Sequence, residues 1–177
     1  MRINQLSKSP TIFVLTLIWG MAFMGTASAD TKEKHIIGWI ETVQILPENF
    51  HLSAKIDTGA DHSSLNAMNP TEFMKGEEKW IRFSITLEED ESITLERPIK
   101  RFIRIKNKGA ASQKRVVVLL DLCIGTIFKK DVPVNLADRT RFKYPMLIGR
   151  SFLKGSAIVD STLTHSQQPS CSIQLSQ

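Results

Sequence analysis

The sequence lacks the residue patterns of several protein classes. Its longest apolar run, residues 11–25, holds 15 residues, whereas a membrane-spanning helix needs about 20. Its four histidines stand in four separate regions, without the H-E-x-x-H spacing of zinc hydrolases. The sequence also contains no G-x-x-x-x-G-K-[ST] phosphate-binding loop. We therefore expect neither a metal ion nor a nucleotide, and no other cofactor is indicated.

The charge distribution does not favour nucleic-acid binding. The chain has 23 basic and 18 acidic residues, a formal net charge of +5. The basic residues are spread among acidic ones such as Glu77 and Glu78, whereas a nucleic-acid site requires a one-sided basic cluster. We expect no nucleic-acid partner.

Residues 1–29 have the pattern of a cleaved signal peptide. Arg2 and Lys8 precede the apolar run, and Ala29 ends an Ala-Ser-Ala tripeptide of the kind that signal peptidase cuts. A cut after Ala29 leaves residues 30–177, with 21 basic residues against 18 acidic ones. We expect this domain to be periplasmic or secreted, with no membrane attachment after cleavage. A retained anchor helix is the alternative.

The chain has two cysteines, Cys123 in a predicted strand and Cys171 near the C-terminus. Export to an oxidising compartment would permit a disulfide between them. Two separate thiols, one of them buried, are an equal alternative, because the sequence does not give the distance between the two residues.

Apolar and polar residues alternate along most of residues 30–177. Ile81, Phe83 and Ile85 alternate with polar residues, which is typical of a half-buried strand. Further strands are predicted at residues 93–99, in RFIRIK, in KRVVVLLDLCI and around Val132–Leu136, where Pro133 indicates an edge strand or an interrupted one. Only the short stretches EFMK and GRSFLKG look helical. The pattern predicts one compact, mainly β domain.

One stretch, AKIDTGADHSSLNA at residues 54–67, places Asp57 directly after an alternating strand. Asp-Thr-Gly alone is typical of a turn after a strand, so a structural role for Asp57 is the default interpretation. A second stretch, YPMLIGRSFLKGSAIVD at residues 144–160, joins two apolar residues to a glycine, an arginine and a short helical segment.

Together these stretches resemble the retropepsin group of aspartic peptidases, in which a strand ends in DTGA(D) and a later apolar-apolar-Gly-Arg sequence leads into a helix. Residues 36–161 are similar to the bacterial retropepsin-like family that is often labelled as ATP-dependent zinc proteases. The resemblance implies an all-β fold, a small closed acid-protease barrel with one short C-terminal helix. It also implies an aspartic endopeptidase, which the signal-peptide pattern of residues 1–29 predicts to be exported. Neither zinc nor ATP has a matching motif in this chain.

An aspartic peptidase needs two carboxylates that share one proton, because two such close negative charges are not ionised together. One then acts as base on a water molecule and the other as acid on the scissile carbonyl. Asp57 is the only suitable aspartate. The Asp160-Ser-Thr sequence lacks the glycine, so we interpret Asp160 as structural. Activity therefore requires a homodimer that joins two copies of Asp57.

The resemblance implies roles for the three residues that follow Asp57. Thr58 would hydrogen-bond across the dimer axis, although it is also an ordinary residue for a strand end. Gly59 would permit a tight turn and close approach of the substrate. Ala60 would offer no hydroxyl to the Asp57 carboxylate.

The resemblance also implies that the loop is tied to the helix. Asp61 and Arg150 would form the retropepsin ion pair, and Ile148 and Gly149 would support the crossing strand beneath Asp57. Arginine is common at the position of Asp61 in the bacterial family, so this chain differs from that family here and its substrate does not follow from the resemblance.

A lid that excludes water is expected over such a site. The best candidate is the hairpin IKNKGAASQKRVV, with Lys108, Gly109 and Ala110 at its tip. A plain exposed loop is the alternative interpretation.

An extended peptide would bind as an added strand. Because the family is associated with glutamate-ligating enzymes, glutamyl amide bonds are candidate substrates. The alternative function is a non-catalytic module on the same barrel that binds peptides or envelope polymers.

Overall fold

The computed structural model describes residues 33–87, 91–105 and 112–171. The chain divides into two units between Thr31 and Lys32, and all described residues belong to the second unit. Among them, no helix is long and apolar enough to cross a membrane. The signal peptide and the lid residues Lys108, Gly109 and Ala110 lie outside the described residues, so both stay predictions.

The described residues form strands almost throughout, with one short helix. The strands are β1 (His35–Leu46), β2 (Phe50–Ile56), β3 (Ser63–Asn66), β4 (Met68–Lys75), β5 (Glu78–Thr86), β6 (Ser92–Pro98), β7 (Arg101–Ile105), β8 (Gln113–Ile124), β9 (Ile127–Ala137), β10 (Met146–Ile148) and β11 (Ala157–Thr164). The helix α1 (Arg150–Leu153) follows β10.

Six strands close into a barrel. They follow the order β1-β2-β10-β3-β9-β8, and β8 pairs back with β1 to complete the ring. Strand β11 adds to β1 in parallel, and β7 adds to β8 in antiparallel orientation. Strands β4, β5 and β6 form a separate three-stranded sheet. The predicted all-β fold, a closed barrel with one short C-terminal helix, is confirmed.

The core follows from the alternation of the strands. Leu52, Ala54 and Ile56 of β2 are buried, because side chains two apart on a strand point to the same face. Apolar residues of β8, β9 and β10 line the same core, and Phe152 of α1 packs onto it. Each large buried side chain contributes about 1.5–3 kcal/mol. Burial on this face fixes the register of β2 and therefore the point at which it ends, just before Asp57.

Two expectations about secondary structure need correction. EFMK is not helical, because residues 72–75 belong to β4 and pair with β5, with Phe73 opposite Trp80. Cross-strand pairing here overrides the local helix preference. Strand β9 is not an edge strand, since it lies between β3 and β8. Pro133 precedes the residues that pair with β3 and lies near a register shift against β8, which agrees with the alternative of an interrupted strand.

The two cysteines form a disulfide. Cys123 on β8 and Cys171 have Cα atoms 6.1 Å apart. The same C-terminal segment is hydrogen-bonded to the barrel, from Ser170 N to Gly125 O (2.8 Å) and from His165 N to Ile40 O (2.7 Å). Of the two alternatives that the sequence left open, the structure therefore shows the disulfide, which fixes the C-terminal segment against the barrel.

We expect Cys171→Ser to lower the free energy of unfolding by about 2–4 kcal/mol, because the cross-link restricts an unfolded chain in which the two residues are 48 positions apart. Chemical denaturation would measure the change. Wild-type protein in reductant is the matched control and should unfold at the midpoint of the variant. Equal midpoints for the variant and the oxidised wild type would contradict this expectation.

Candidate active site

Asp57 begins the loop that follows β2, and backbone contacts hold it there. Its N–H donates to the carbonyl oxygen of Ile148 at 2.9 Å. Its carboxylate oxygen Oδ1 accepts the N–H of Gly59 at 2.9 Å, and its carbonyl accepts the N–H of Ala60 at 3.3 Å. One carboxylate oxygen is therefore fixed by the backbone of the following turn, and Asp57 as a whole is only partly buried.

At Gly59, the absence of a side chain leaves room for the Asp57 carboxylate. A Cβ atom on Gly59 would lie 3.1 Å from Oδ1 of Asp57, which is tighter than an ordinary van der Waals contact. A side chain at this position would therefore press on the carboxylate. The predicted roles of Gly59, in permitting the tight turn and the close approach of a substrate, stay predictions.

Strand β10 runs beneath the aspartate loop. Ile148 pairs with Ile56 of β2, and the next residue, Gly149, packs against the backbone of His62. A Cβ atom on Gly149 would lie 2.7 Å from the carbonyl carbon of His62, so only glycine fits here. The N–H of Gly149 donates to Ser63 Oγ at 3.2 Å. The structure thus places Ile148 and Gly149 beside the aspartate loop, where the resemblance implied a supporting role.

Arg150 ties the loop to the start of α1. Its Nη1 donates to the carbonyl oxygen of Thr58 at 2.9 Å, its Nη2 contacts Asp61 Oδ1, and its backbone N–H donates to the carbonyl of Ala60 at 2.8 Å. The expected Arg150–Asp61 contact is present, with 50% and 72% of the two side chains exposed. An exposed pair contributes about 0–1 kcal/mol. Its contribution is therefore mainly to geometry, together with the two backbone contacts.

Asp160 lies on β11 in a local turn of its own. Its Oδ1 accepts hydrogen bonds from the hydroxyl and the backbone N–H of Thr162, at 2.7 and 2.8 Å. These bonds favour the charged form and hold the pKa of the Asp160 carboxyl below its usual value. The arrangement supports the interpretation of Asp160 as structural.

A cleft of about 440 Å³ opens beside the aspartate loop. We call it the arginine cleft, and its lining includes Ala60, His62, Ser64, Arg115, Asn135 and Arg139. Of these six residues, the sequence analysis had assigned a site role only to Ala60. Arginine in a polar loop is usually exposed, and nothing in the ADRTRFKYP stretch indicates that Arg139 turns inward.

Arg139 is a buried cation, with only 8% of the residue exposed. Its Nη1 donates to Ser64 Oγ at 3.1 Å and its Nε to the carbonyl of Tyr144 at 3.4 Å. Burial lowers its pKa from the usual value, and the nearby charge of Arg115 lowers it further, while Asp57 opposes both effects. Within the described ranges, no carboxylate forms an ion pair with Arg139 or Arg115. The cleft lining also includes the carboxylates of Asp61 and Asp138, but neither is within ion-pair distance of Arg139 or Arg115, so both guanidinium groups lack an ion-pair partner among the described residues.

A second, more apolar groove of about 610 Å³ shares Asp61 and His62 with the arginine cleft. Its lining includes Thr58, Arg150, Leu153, Ala157 and Val159. Residues of the aspartate loop and its C-terminal end thus line both the arginine cleft and the apolar groove. No group of three or more histidine, cysteine, aspartate or glutamate residues in the described part of the chain could hold a metal ion.

The profile of the RimB-like family, described as the retropepsin-like aspartic endopeptidase RimB, matches residues 36–170. The barrel, the Asp-Thr-Gly loop and the strand beneath it thus occur in a chain that belongs to this family. A crystal structure of a Legionella pneumophila protein of unknown function (DUF785) has the same fold, with a TM-score of 0.65 and 33% identity. The similarity covers 77% of this chain and all of the Legionella chain.

Curated relatives carry a different name. A probable alpha-L-glutamate ligase of Parasynechococcus marenigrum is 30% identical over 117 residues, and one of Desulfotalea psychrophila is 28% identical over the same length. The alignments cover 64% and 63% of this chain but 25% of each ligase. The chain therefore spans about a quarter of the length of the curated relatives it matches.

We expect Gly149→Ala to lower the free energy of unfolding by about 1–3 kcal/mol, because the new methyl group forces the His62 backbone and the aspartate loop apart. Thermal or chemical denaturation would measure it. Gly76→Ala is the control: its φ of +63° makes alanine unfavourable, but no atom lies within 4 Å of the added methyl, so it should cost only about 1 kcal/mol. A Gly149→Ala variant no less stable than this control would contradict the close packing.

Proposed function

We propose that this protein is an exported, homodimeric aspartic endopeptidase that hydrolyses peptide bonds. The observation that carries the proposal is the position of Asp57. It follows β2 of a retropepsin-like barrel, and its backbone is held by Ile148 of the strand beneath. The family match over residues 36–170 supports the same function.

In the proposed reaction, two copies of Asp57 share one proton across a dimer axis. The ionised copy takes a proton from a water molecule as the water oxygen bonds to the scissile carbonyl carbon. The protonated copy gives its proton to the carbonyl oxygen. One hydroxyl of the tetrahedral intermediate then gives its proton to the ionised carboxylate as the C=O double bond reforms. The C–N bond breaks, and the protonated carboxyl of the dyad gives its proton to the leaving nitrogen. One peptide and one water are consumed, and two chain ends are formed.

The need for a second copy is supported by the contacts of the Asp57 carboxylate and by the apolar groove beside it. Among the described residues, no hydrogen bond joins the Asp57 carboxylate to another carboxylate, and its Oδ1 accepts only the N–H of Gly59. The apolar groove beside Thr58 and Leu153 provides a surface that a second copy would cover. Thr58 would then hydrogen-bond across the axis, as the resemblance implied.

The arginine cleft supports peptides with acidic side chains, and glutamyl peptides in particular, as the substrate. Arg139 and Arg115 provide positive charge without an ion-pair partner in the described residues. Guanidinium groups bind carboxylates in a bidentate geometry. Glutamate also occurs in the name of the curated relatives. Because this chain spans about a quarter of those proteins, we propose hydrolysis at glutamyl residues rather than their ligation.

A second candidate function is a module that binds acidic peptides without cleaving them. The arginine cleft favours it, because Arg139 and Arg115 line the cleft and can bind an acidic side chain whether or not Asp57 acts as a catalyst. The two functions differ in one outcome: a binding module retains its peptide unchanged, whatever residue stands at position 57.

We expect Asp57→Asn to abolish cleavage of a glutamyl peptide library by the chain of residues 30–177, assayed across pH, because the amide cannot act as a base. Folding and dimerisation should persist, as judged by circular dichroism and sedimentation. Asp160→Asn is the matched control, since it makes the same chemical change in an aspartate interpreted as structural, and it should retain activity. Full activity of the Asp57→Asn protein would end the aspartic assignment.

A mixing experiment tests the shared site directly. Wild-type chains are equilibrated with a growing excess of Asp57→Asn chains, and cleavage per wild-type chain is measured. It should fall towards zero, because mixed dimers hold only one carboxylate. Asp160→Asn chains, as control, should cause no loss. Constant activity per wild-type chain would show that one copy of Asp57 is sufficient.

We expect Arg139→Gln to raise the KM for glutamyl peptides about 10- to 100-fold, because a hydrogen bond to a charged group is worth about 1.5–3 kcal/mol. The KM for neutral peptides should change little. Steady-state kinetics on both peptides would measure this. Arg141→Gln removes the same charge from an exposed residue and is the control. An equal rise in KM for acidic and neutral peptides would argue against carboxylate recognition.

A further inference from the structure

We propose that Asn135 is a positioning residue that holds the aspartate loop and Arg115 in register with each other. The inference rests on the proposed function, since it gives Asn135 a part in the same site. Asn135 lies on β9, 6% exposed, between Ser64 of β3 on one side and Val117 of β8 on the other.

Two sets of hydrogen bonds, which we call the first and second arms, extend from the Asn135 side chain. The first arm runs to the aspartate loop. Its Nδ2 donates to the carbonyl oxygen of Ser63 at 2.6 Å. Ser63, which is fully buried, accepts the N–H of Gly149 on its Oγ at 3.2 Å. The residue before Gly149 is Ile148, whose carbonyl accepts the N–H of Asp57. The Asn135 side chain is thus connected to the backbone of Asp57 through three hydrogen bonds, the covalent bonds of Ser63 and the Ile148–Gly149 peptide unit.

The second arm runs from Asn135 to the arginine cleft. Its Oδ1 accepts Nη1 of Arg115 at 3.1 Å. Gln113 binds Nε and Nη2 of the same guanidinium, at 3.1 and 3.0 Å. Arg115 lines the arginine cleft, and these contacts fix the direction in which its charge points.

The buried side-chain amide of Asn135 therefore hydrogen-bonds two groups, the Ser63 carbonyl next to the aspartate loop and the guanidinium of Arg115 in the arginine cleft. A buried polar group is costly unless it is hydrogen-bonded, and apolar residues fill the neighbouring positions of β9. Leucine has a similar volume and would pack in its place, but it would leave the Ser63 carbonyl and Arg115 without this partner. Asn135 thereby sets the aspartate loop and the substrate-binding cation relative to one backbone strand. Misplacement of a catalytic group by about 1 Å can lower a rate about 100-fold.

The two arms make distinct kinetic predictions with glutamyl peptides. Ser63→Ala breaks the first arm and should lower kcat about 10- to 100-fold with little change in KM. Arg115→Met removes the cation at the end of the second arm and should raise KM about 10- to 100-fold with little change in kcat. Asn135→Leu should do both. Ser84→Ala, which removes a hydroxyl contact to Thr94 on the separate sheet, is the control and should change neither parameter.

An independent measurement follows the first arm without any substrate. Amide hydrogen exchange by NMR should be faster, by about tenfold or more, at Gly149 and Asp57 in Asn135→Leu than in wild type. Exchange elsewhere in the barrel should be unchanged. If Asn135→Leu does not fold, Asp57 exchange in Ser63→Ala provides the same test, because Ser63 joins Asn135 to Gly149.

The outcomes separate the two proposals. Unchanged exchange at Gly149 and Asp57, or a Ser63→Ala enzyme with wild-type kcat, would overturn the role of Asn135. If the wild-type protein does not cleave peptides, the proposed hydrolysis fails. The role of Asn135 would then be tested by amide hydrogen exchange and by the affinity of the protein for glutamyl peptides. Asn135→Leu and Arg115→Met should both weaken that affinity, and wild-type affinity in Asn135→Leu would overturn the second arm.

Discussion

The hydrogen bond from the Asp57 N–H to the Ile148 carbonyl joins the aspartate loop to the strand beneath it, and the rest of the site depends on this contact. It forms only if β10 lies beside β2 in parallel register, with Ile148 opposite Ile56. That register in turn needs Gly149, because any side chain there would collide with the His62 backbone. Two stretches about 90 residues apart in the sequence are thus brought to one point by backbone geometry.

Much of the fold was readable from the sequence because its period is two and its buried faces are consistent. The strands around Ile56, Phe83 and Leu122 follow the apolar alternation, and the helix at residues 150–153 follows the GRSFLKG stretch. The wrong helix at EFMK shows the limit of this approach. Four residues with helix preference form a strand when a partner such as β5 is available, and the sequence does not reveal that partner.

The residues of the candidate site were also only partly predictable from the sequence. Asp57, Gly149 and Arg150 were predicted as site residues because their order along the chain has a recognisable pattern. Arg139, Arg115 and Asn135 carry no such pattern, since their importance comes from facing one another across strands β8, β9 and the following loop. The burial of Arg139 and Asn135 and the contact between Asn135 and Arg115 arise only once the strands are assembled. A local reading of ADRTRFKYP assigns its arginines to solvent, which is correct for Arg141 and wrong for Arg139.

Burial of the Arg139 guanidinium also means that binding of an anion would raise the stability of the folded protein. A cation that is removed from water and left without an ion pair works against the native state, and burial lowers its pKa for the same reason. An anion that settles in the arginine cleft relieves this penalty and, by mass action, shifts the folding equilibrium towards the native chain. If acidic peptides bind there as we propose, the protein should resist heat and proteolysis better in their presence than in their absence.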